Sequence, residues 1–271
     1  MFKKYTVSSR KKVLLKEYDP EDSNGFIKEE IAVEYNSLLE SFAELQEVLY
    51  ASKQYGLLIL LQGMDCSGKD GTVRNVLASV NPGGVVVESF KVPTPEELGH
   101  GYLWRIQSKV PKKGEIVVFN RSYYEDVLVT RVHKLIDDET AERRFKEIGN
   151  YEKYLHYNNT IVLKFFLHIS KDFQQKKLMS RLESWEKNWK FSEDDLKERK
   201  FWDKYQQFYG EVLSNCGSKE VPWYIVPANH RWFRDYFILK VIVNTLKELN
   251  LKYPRMEGNV QALIDEVMAS K

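Results

Sequence analysis

The sequence predicts a doubly wound α/β protein, a parallel sheet with helices on both faces. Three observations carry this. Short continuous apolar runs at residues 57–61, 116–119 and 165–167 lack alternation, the pattern of strands buried on both faces. Helical periodicity separates these runs, so strand and helix alternate along the chain. A glycine-rich loop leaves the first run and opens a helix, which is where such a sheet carries its ligand.

Taken in order, residues 1–25 are polar, carry a turn signal at Asp19-Pro20, and read as a surface extension reaching to about residue 27. From 28 to 52, Ile31, Tyr35, Leu38, Leu39, Phe42, Leu45 and Leu49 recur at three and four, which predicts an amphipathic helix. Strand 57–61 enters the glycine loop, and helix 72–79 leaves it and stops at Asn81-Pro82-Gly83-Gly84. A second strand is expected at 85–87, a helix over 96–110 started by Thr94-Pro95, and a third strand at 116–119. Helical stretches at 127–131 and 139–157 lead to a fourth strand at 160–167. The fifth strand is 223–226, followed by helices 232–249 and 260–268. Between the last two strands lies a charged, helical insert, 170–217, with Trp185, Trp189 and Trp202, read as packing residues. No Pro/Gly/Ser linker separates the insert from the sheet, so residues 1–271 are expected to form one domain.

Composition narrows the function. The chain has 271 residues, 43% apolar and 30% charged, which excludes a disordered or low-complexity protein. Its 41 Lys+Arg against 39 Asp+Glu exclude a globally basic nucleic-acid binder. Two cysteines are too few for a disulfide framework or a zinc ribbon. No apolar run is long enough to span a bilayer, and the basic start lacks the apolar region of a signal peptide. The expectation is a cytoplasmic protein without a membrane or nucleic-acid partner.

The stretch Gly63-Met64-Asp65-Cys66-Ser67-Gly68-Lys69-Asp70-Gly71 fits G-x-x-x-x-G-K between a buried strand and a helix. Backbone N–H groups of such a loop and of the following helix N-terminus point inward and bind phosphate oxygens. Lys69 adds a mobile positive charge. Asp70 stands where Ser or Thr would ordinarily hold Mg²⁺. Asp65 lies inside the loop, where an anion beside phosphates requires an intervening cation, so Asp65 is the candidate Mg²⁺ ligand. The plainer reading is a strand–helix turn that binds nothing.

The third strand ends in Asn120-Arg121-Ser122-Tyr123-Tyr124-Glu125-Asp126. The carboxyl edge of a parallel sheet is its ligand edge, so this block is expected beside the glycine loop. Arg121 suits bidentate phosphate binding. Helix capping by Asn120 or Ser122, with Glu125 in the first turn, is equally compatible with this order. Arg105, Lys109, Lys112, Lys113, Arg121, Arg131 and Lys134 face only Glu115, Glu125 and Asp126, a local positive field suited to a polyanion. In the insert, Arg181 and Arg199 are candidates to close over a transferring phosphoryl group as a lid.

Seven ordered blocks resemble the second family of polyphosphate kinases. They are Gly63 to Gly71, Ser89-Phe90-Lys91-Val92-Pro93-Thr94, Tyr102-Leu103-Trp104-Arg105, Phe119 to Asp126, Phe166-Leu167-His168-Ile169-Ser170-Lys171, Trp189-Lys190-Phe191-Ser192, and Pro222-Trp223-Tyr224-Ile225-Val226-Pro227-Ala228. The resemblance spans about residues 19–249. It implies a thymidylate-kinase-like P-loop core with a helical lid. It also implies phosphoryl transfer between inorganic polyphosphate and nucleotides with Mg²⁺, or Mn²⁺ in its place. By position, Asp65, Lys69 and Arg121 fall in the family's catalytic core, Arg181 and Arg199 in its lid, and Lys91 and Arg105 in blocks lining the phosphate path. Many relatives have Asp-Arg-Ser-Trp-Tyr-Asn where this chain has Asn120-Arg121-Ser122-Tyr123-Tyr124-Glu125. The Asn120/Glu125 form resembles the subclass that accepts nucleoside mono- and diphosphates, with adenine as the base, guanine as the second choice, and a dimer or tetramer as the assembly. The rival readings are an ATP-dependent nucleotide kinase on the same core and a non-catalytic nucleotide-binding protein.

Overall fold

A computed structural model describes residues 2–270. The chain opens with a two-residue strand, β1 (Thr6–Val7), followed by helix α1 (Lys28–Ser52) and strand β2 (Gly56–Gln62). All seven residues of β2 are buried, as expected for an uninterrupted apolar run with neighbours on both sides and helices on both faces. After the glycine loop come α2 (Lys69–Val76), β3 (Val85–Ser89), α3 (Pro95–Leu98), α4 (Trp104–Gln107) and β4 (Ile116–Asn120). Then α5 (Val129–Val132), α6 (Asp138–Tyr157) and β5 (Thr160–His168) lead into α7 (Lys171–Glu183), α8 (Glu193–Arg199) and α9 (Trp202–Asn215). The chain finishes with β6 (Trp223–Pro227), α10 (Arg231–Glu248) and α11 (Val260–Ala269).

The sheet order is β1-β6-β5-β2-β4-β3. Five strands run parallel, with β2 between β4 (Leu61 opposite Asn120) and β5 (Gln62 opposite Phe166). One face carries α10, which packs on α1, α2, β5 and β6; α6 and α9 pack on the other side, α6 directly on β5. The order reverses at β2, so the crevice beyond its carboxyl end is the topological switch point where ligands bind. Among the described residues no helix is long and apolar enough to cross a membrane.

Four sequence expectations need correction. Residues 2–25 are not merely a surface extension, residue 1 of that expectation lying outside the described residues. β1 pairs antiparallel with β6, Phe2 stacks on Phe237 at 3.9 Å, and Tyr5, Val13 and Leu15 are buried. Phe2, Tyr5 and Val7 are separated by lysines and polar groups, and Val13-Leu14-Leu15 is only a three-residue run between lysines, so no window is long enough to read as core. The helix expected at 96–110 is two single-turn helices, α3 and α4, separated by residues 99–103, which include Gly99 and Gly101. The insert is also divided. Its last helix, α9, buries Trp202, Tyr205, Tyr209, Val212 and Leu213 in the core, leaving residues 171–200 as the projecting part. Trp202 packs as expected, whereas Trp185 and Trp189 are 89% and 78% exposed.

Candidate active site

The site begins where β2 runs out. Gly63 adopts φ 154, and a Cβ there would lie 2.8 Å from both the Leu167 carbonyl and the Ser67 hydroxyl. Gly68 adopts φ 95, in the left-handed region that favours glycine. Cys66 takes φ 67 between them, a left-handed conformation that costs a non-glycine residue about 1 kcal/mol or more. The loop therefore folds back on itself before α2 starts at Lys69. The buried Lys69 ammonium donates to the Gly63 carbonyl (2.8 Å) and the Met64 carbonyl (3.3 Å). Burial, with Arg121 nearby, pushes this amine down to about 8, against the pull of Asp65, Glu125 and Asp70. Among the described residues the buried Ser67 hydroxyl has no hydrogen-bond partner. Burial pushes the Cys66 thiol up to about 11, so it stays protonated at neutral pH.

The end of β4 meets this loop as expected. Asn120 Nδ2 donates to Asp70 Oδ1 at 2.6 Å. Arg121 sits at φ 67 with its N–H on the Leu61 carbonyl (3.1 Å), a turn that aims its side chain over the loop. Its guanidinium donates to Asp65 Oδ1 (2.6 Å) and lies 3.5 Å from Glu125 Oε2. Burial opposes that charge, but Glu125 and Asp65 hold the guanidinium protonated beyond its ordinary range. Ser122 caps the short turn 123–127 by accepting from the Tyr124 N–H, so the capping reading holds for Ser122 while Arg121 and Glu125 face the loop. Asp65, Lys69, Asn120, Arg121 and Glu125 are thus brought together, with Gly63, Met64, Cys66, Ser67, Gly68, Asp70 and Gly71 forming the loop itself.

The projecting segment reaches the same place. Gln174 Nε2 donates to the Asp65 carbonyl (3.0 Å), and Arg199 donates to Gln174 Oε1 (2.7 Å) and the Lys171 carbonyl (2.9 Å). Arg181 donates to Asp195 Oδ2 (2.9 Å) and the Lys190 carbonyl (3.1 Å). Burial and nearby Asp65 raise the Asp195 carboxyl, although Arg181 is its partner. Burial, with Arg231 and Lys187 nearby, lowers the Lys177 amine. Arg181 and Arg199 each therefore rest on protein oxygens near the loop.

Lys91 and Arg105 lie elsewhere. Lys91 is exposed, and its carbonyl accepts from Arg105 (2.9 Å). The buried Arg105 also lies 3.4 Å from Glu97 and 5.3 Å from the centre of the Phe90 ring. Among the described residues, no hydrogen bond or ion pair joins either side chain to the glycine loop. The charge of Arg105 acts on Asp126, where it opposes the burial that pushes that carboxyl up to about 6.

Several supporting groups escaped sequence reasoning. Tyr123 and Tyr124 both donate to Glu152 Oε1 (2.8 and 2.7 Å), and Lys164 Nζ bonds to Glu152 Oε2 (2.5 Å) and the Cys216 carbonyl (2.6 Å). This buried network anchors the turn that carries Arg121 and Glu125. Tyr209 of α9 is buried beside Arg121, Glu125 and Asp65. Arg234 and Asp235 of α10 lie buried behind the loop. For Glu152, Lys164, Arg234 and Asp235 the available signal was the same, a charged residue inside an otherwise apolar strand or helix face; the tyrosines carried no such signal.

For a metal, the donors present fit one mode of binding. Among the described residues no three His, Cys, Asp or Glu side chains form a ligand cage. Asp65, a quarter exposed at the loop's lip, suits an ion held by one or two carboxylates plus substrate phosphates, the habit of Mg²⁺.

A family profile described as Polyphosphate kinase 2 matches residues 26–254. The chain belongs to the polyphosphate kinase 2 family. It is a phosphotransferase of that type, with a P-loop kinase-like fold. The crystal structure of Polyphosphate Kinase 2 from Arthrobacter aurescens TC1 superposes with a TM-score of 0.92 at 38% identity, covering 94% of this chain and 93% of that one. An AMP/ADP-polyphosphate phosphotransferase of Meiothermus ruber is 44% identical over 266 residues, 97% of this chain and 100% of the relative. An ADP-polyphosphate phosphotransferase of Rhodopseudomonas palustris is 43% identical over 236 residues, 81% of this chain and 82% of the relative.

Proposed function

We propose that this enzyme transfers the terminal phosphoryl group of inorganic polyphosphate to ADP, giving ATP, and to AMP, giving ADP. The observation that carries the reading is the meeting of the Lys69 loop, the Asp65–Arg121–Glu125 cluster and the lid arginines at one sheet edge. An oxygen of the acceptor's terminal phosphate attacks the end phosphorus of polyphosphate. The bridging P–O bond breaks, and polyphosphate leaves one unit shorter, carrying the electron pair as a phosphate anion. The attacking oxygen is already anionic at neutral pH, so no strong base is required, and the absence of a nucleophile–base pair in the sequence is no obstacle.

The protein's task is to align two polyanions and screen their repulsion. Loop amides and Lys69 cradle one phosphate group, and Arg121 holds the other. Asp65 would hold a divalent cation, Mg²⁺ in this reading, which would supply further neutralisation of phosphate charge. Arg181 and Arg199 exchange their resting oxygens for phosphate oxygens as the lid, residues 171–200, closes and excludes water. Lys177, Lys187 and Arg231 continue the positive surface for the trailing polyphosphate chain. Lys91 and Arg105 belong to the outer path. Glu125 and Asn120 favour monophosphate acceptance, in keeping with the printed name of the Meiothermus ruber relative. The enzyme acts in the cytoplasm as a dimer or tetramer. An ATP-dependent kinase on the same core is the disfavoured alternative, because the residue after Lys69 is Asp70 and not Ser or Thr, and the carboxylate of Asp65 inside the loop is foreign to that class.

Chromatographic assay of purified protein with Mg²⁺, long-chain polyphosphate and either AMP or ADP tests the proposal. ATP from ADP and ADP from AMP are expected. Turnover only with ATP as donor would transfer the assignment to the ordinary kinase.

A further inference from the structure

The loop that cradles phosphate has a second wall. Arg234 and Asp235, both over nine-tenths buried, lie on α10 behind residues 67–71. Arg234 Nη1 donates to the Ser67 carbonyl at 3.3 Å, while Nε and Nη2 hold Asp235 Oδ1 at 2.8 and 2.7 Å. Asp235 also accepts from Thr72 Oγ1 (3.4 Å) and Asn75 Nδ2 (2.7 Å), both on α2. A Cβ on Gly68 would lie 1.9 Å from Arg234 Nη1, so the guanidinium fills the space that a side chain at that position would need.

We infer that Arg234 is a positioning residue for phosphate binding, setting the Ser67–Gly68–Lys69 peptides through the Ser67 carbonyl while Asp235 fixes the guanidinium to α2. This inference rests on the phosphoryl-transfer reading of the loop. Three features support it over a plain packing role. Arg234 reaches its two acceptors from separate nitrogens of a rigid planar fork, Nη1 for the Ser67 carbonyl and Nε with Nη2 for Asp235, positions that a single ammonium nitrogen does not occupy together. The carbonyl it binds belongs to the peptide whose N–H opens the Gly68 turn into α2. The buried charge is neutralised by Asp235, so it is retained without a net electrostatic penalty from an unpaired ion. Arg234 does not touch substrate, since the loop backbone lies between.

The test compares Arg234→Gln and Arg234→Lys with wild type. Binding of tripolyphosphate and of ATP is measured by calorimetry, thermal unfolding is followed in parallel, and kcat and KM are measured with polyphosphate. The expected result is a loss of affinity of about tenfold or more for both ligands in folded Arg234→Gln. Arg234→Lys is expected to regain most of the thermal stability and little of the affinity, because the one ammonium nitrogen stays with Asp235 and leaves the Nη1 position on the Ser67 carbonyl empty. Affinity within twofold of wild type in either folded variant overturns the inference, as does a lysine variant that restores affinity and stability equally. Should the glutamine variant fail to fold, the lysine variant carries the test alone. The underlying reading fails separately. Wild-type protein that binds ATP and turns over no polyphosphate overturns the donor assignment, and the ATP titrations of the two variants still decide the role of Arg234.

Discussion

The glycine loop and the projecting segment 171–200 carry comparable charged groups, yet they are built in opposite ways. The loop hangs from β2, whose residues are all buried, and is braced by β4 on one side and α10 on the other. The 3-10 turn at Trp185–Lys190 and helix α8 bury no residue at all. The loop's groups are held by backbone carbonyls and a buried arginine, whereas Arg181 and Arg199 rest on oxygens of their own segment. The contrast separates two requirements of phosphoryl transfer. A fixed cradle minimises reorganisation at the moment of reaction, and movable charges must enter and leave with each substrate.

The comparison breaks first at its rigid side. Lys69→Ala and Asp65→Ala should each reduce kcat about a hundredfold or more while leaving the melting temperature nearly unchanged. Near-wild-type turnover in either folded variant would remove the cradle from the mechanism. Arg181→Ala should cost less, about tenfold, the scale of one charge-assisted hydrogen bond. A loss equal to that of Lys69→Ala would place Arg181 in the fixed half of the site.

A pH titration sharpens the same contrast. Lys69 is pushed down to about 8 by burial, so it is charged below that pH and neutral above it in the free enzyme. Tripolyphosphate affinity should therefore fall as pH rises through about 8, and Lys69→Met should erase that step. Calorimetry at pH 7 and 9 decides it; equal wild-type affinities at both would show that the ammonium keeps its charge. Glu125→Ala should shift kcat/KM against AMP relative to ADP by about tenfold, again the worth of one charged hydrogen bond. Equal losses on both acceptors would leave the choice between them with other groups. The smallest effect belongs to the lid's exposed aromatics. Trp185→Ala should change stability by no more than about 0.5 kcal/mol, while Trp223→Ala in the core should cost about 3–5 kcal/mol, both read by denaturant melts.

The sheet and the loop were legible because their signals are local. An apolar run such as 57–61 has few folded alternatives, and a G-x-x-x-x-G-K stretch between strand and helix confines its own backbone. The same holds for Arg121, whose place at the carboxyl end of β4 follows from strand order alone. The N-terminal strand was not legible, because Phe2, Tyr5 and Val7 are scattered among charges and gain their burial from β6 and α10, while the turn at Leu15 packs on α9. The exposure of Trp185 and Trp189 was equally hidden, since residue type reports what a side chain favours and says nothing of whether a neighbour stands beside it.

By itself, then, the sequence determined the alternation of strand and helix, the phosphate loop, and the residues that meet at one edge of the sheet. Only the tertiary structure decided which charges support that edge from behind. Arg234 stands 166 positions from Gly68 in the chain and in contact with it in the fold, and Lys164 meets Glu152 and Cys216 inside the core. The physical reason is burial. A charge is stable in the interior only when its partners are already in place, and those partners come from distant segments that only packing brings together.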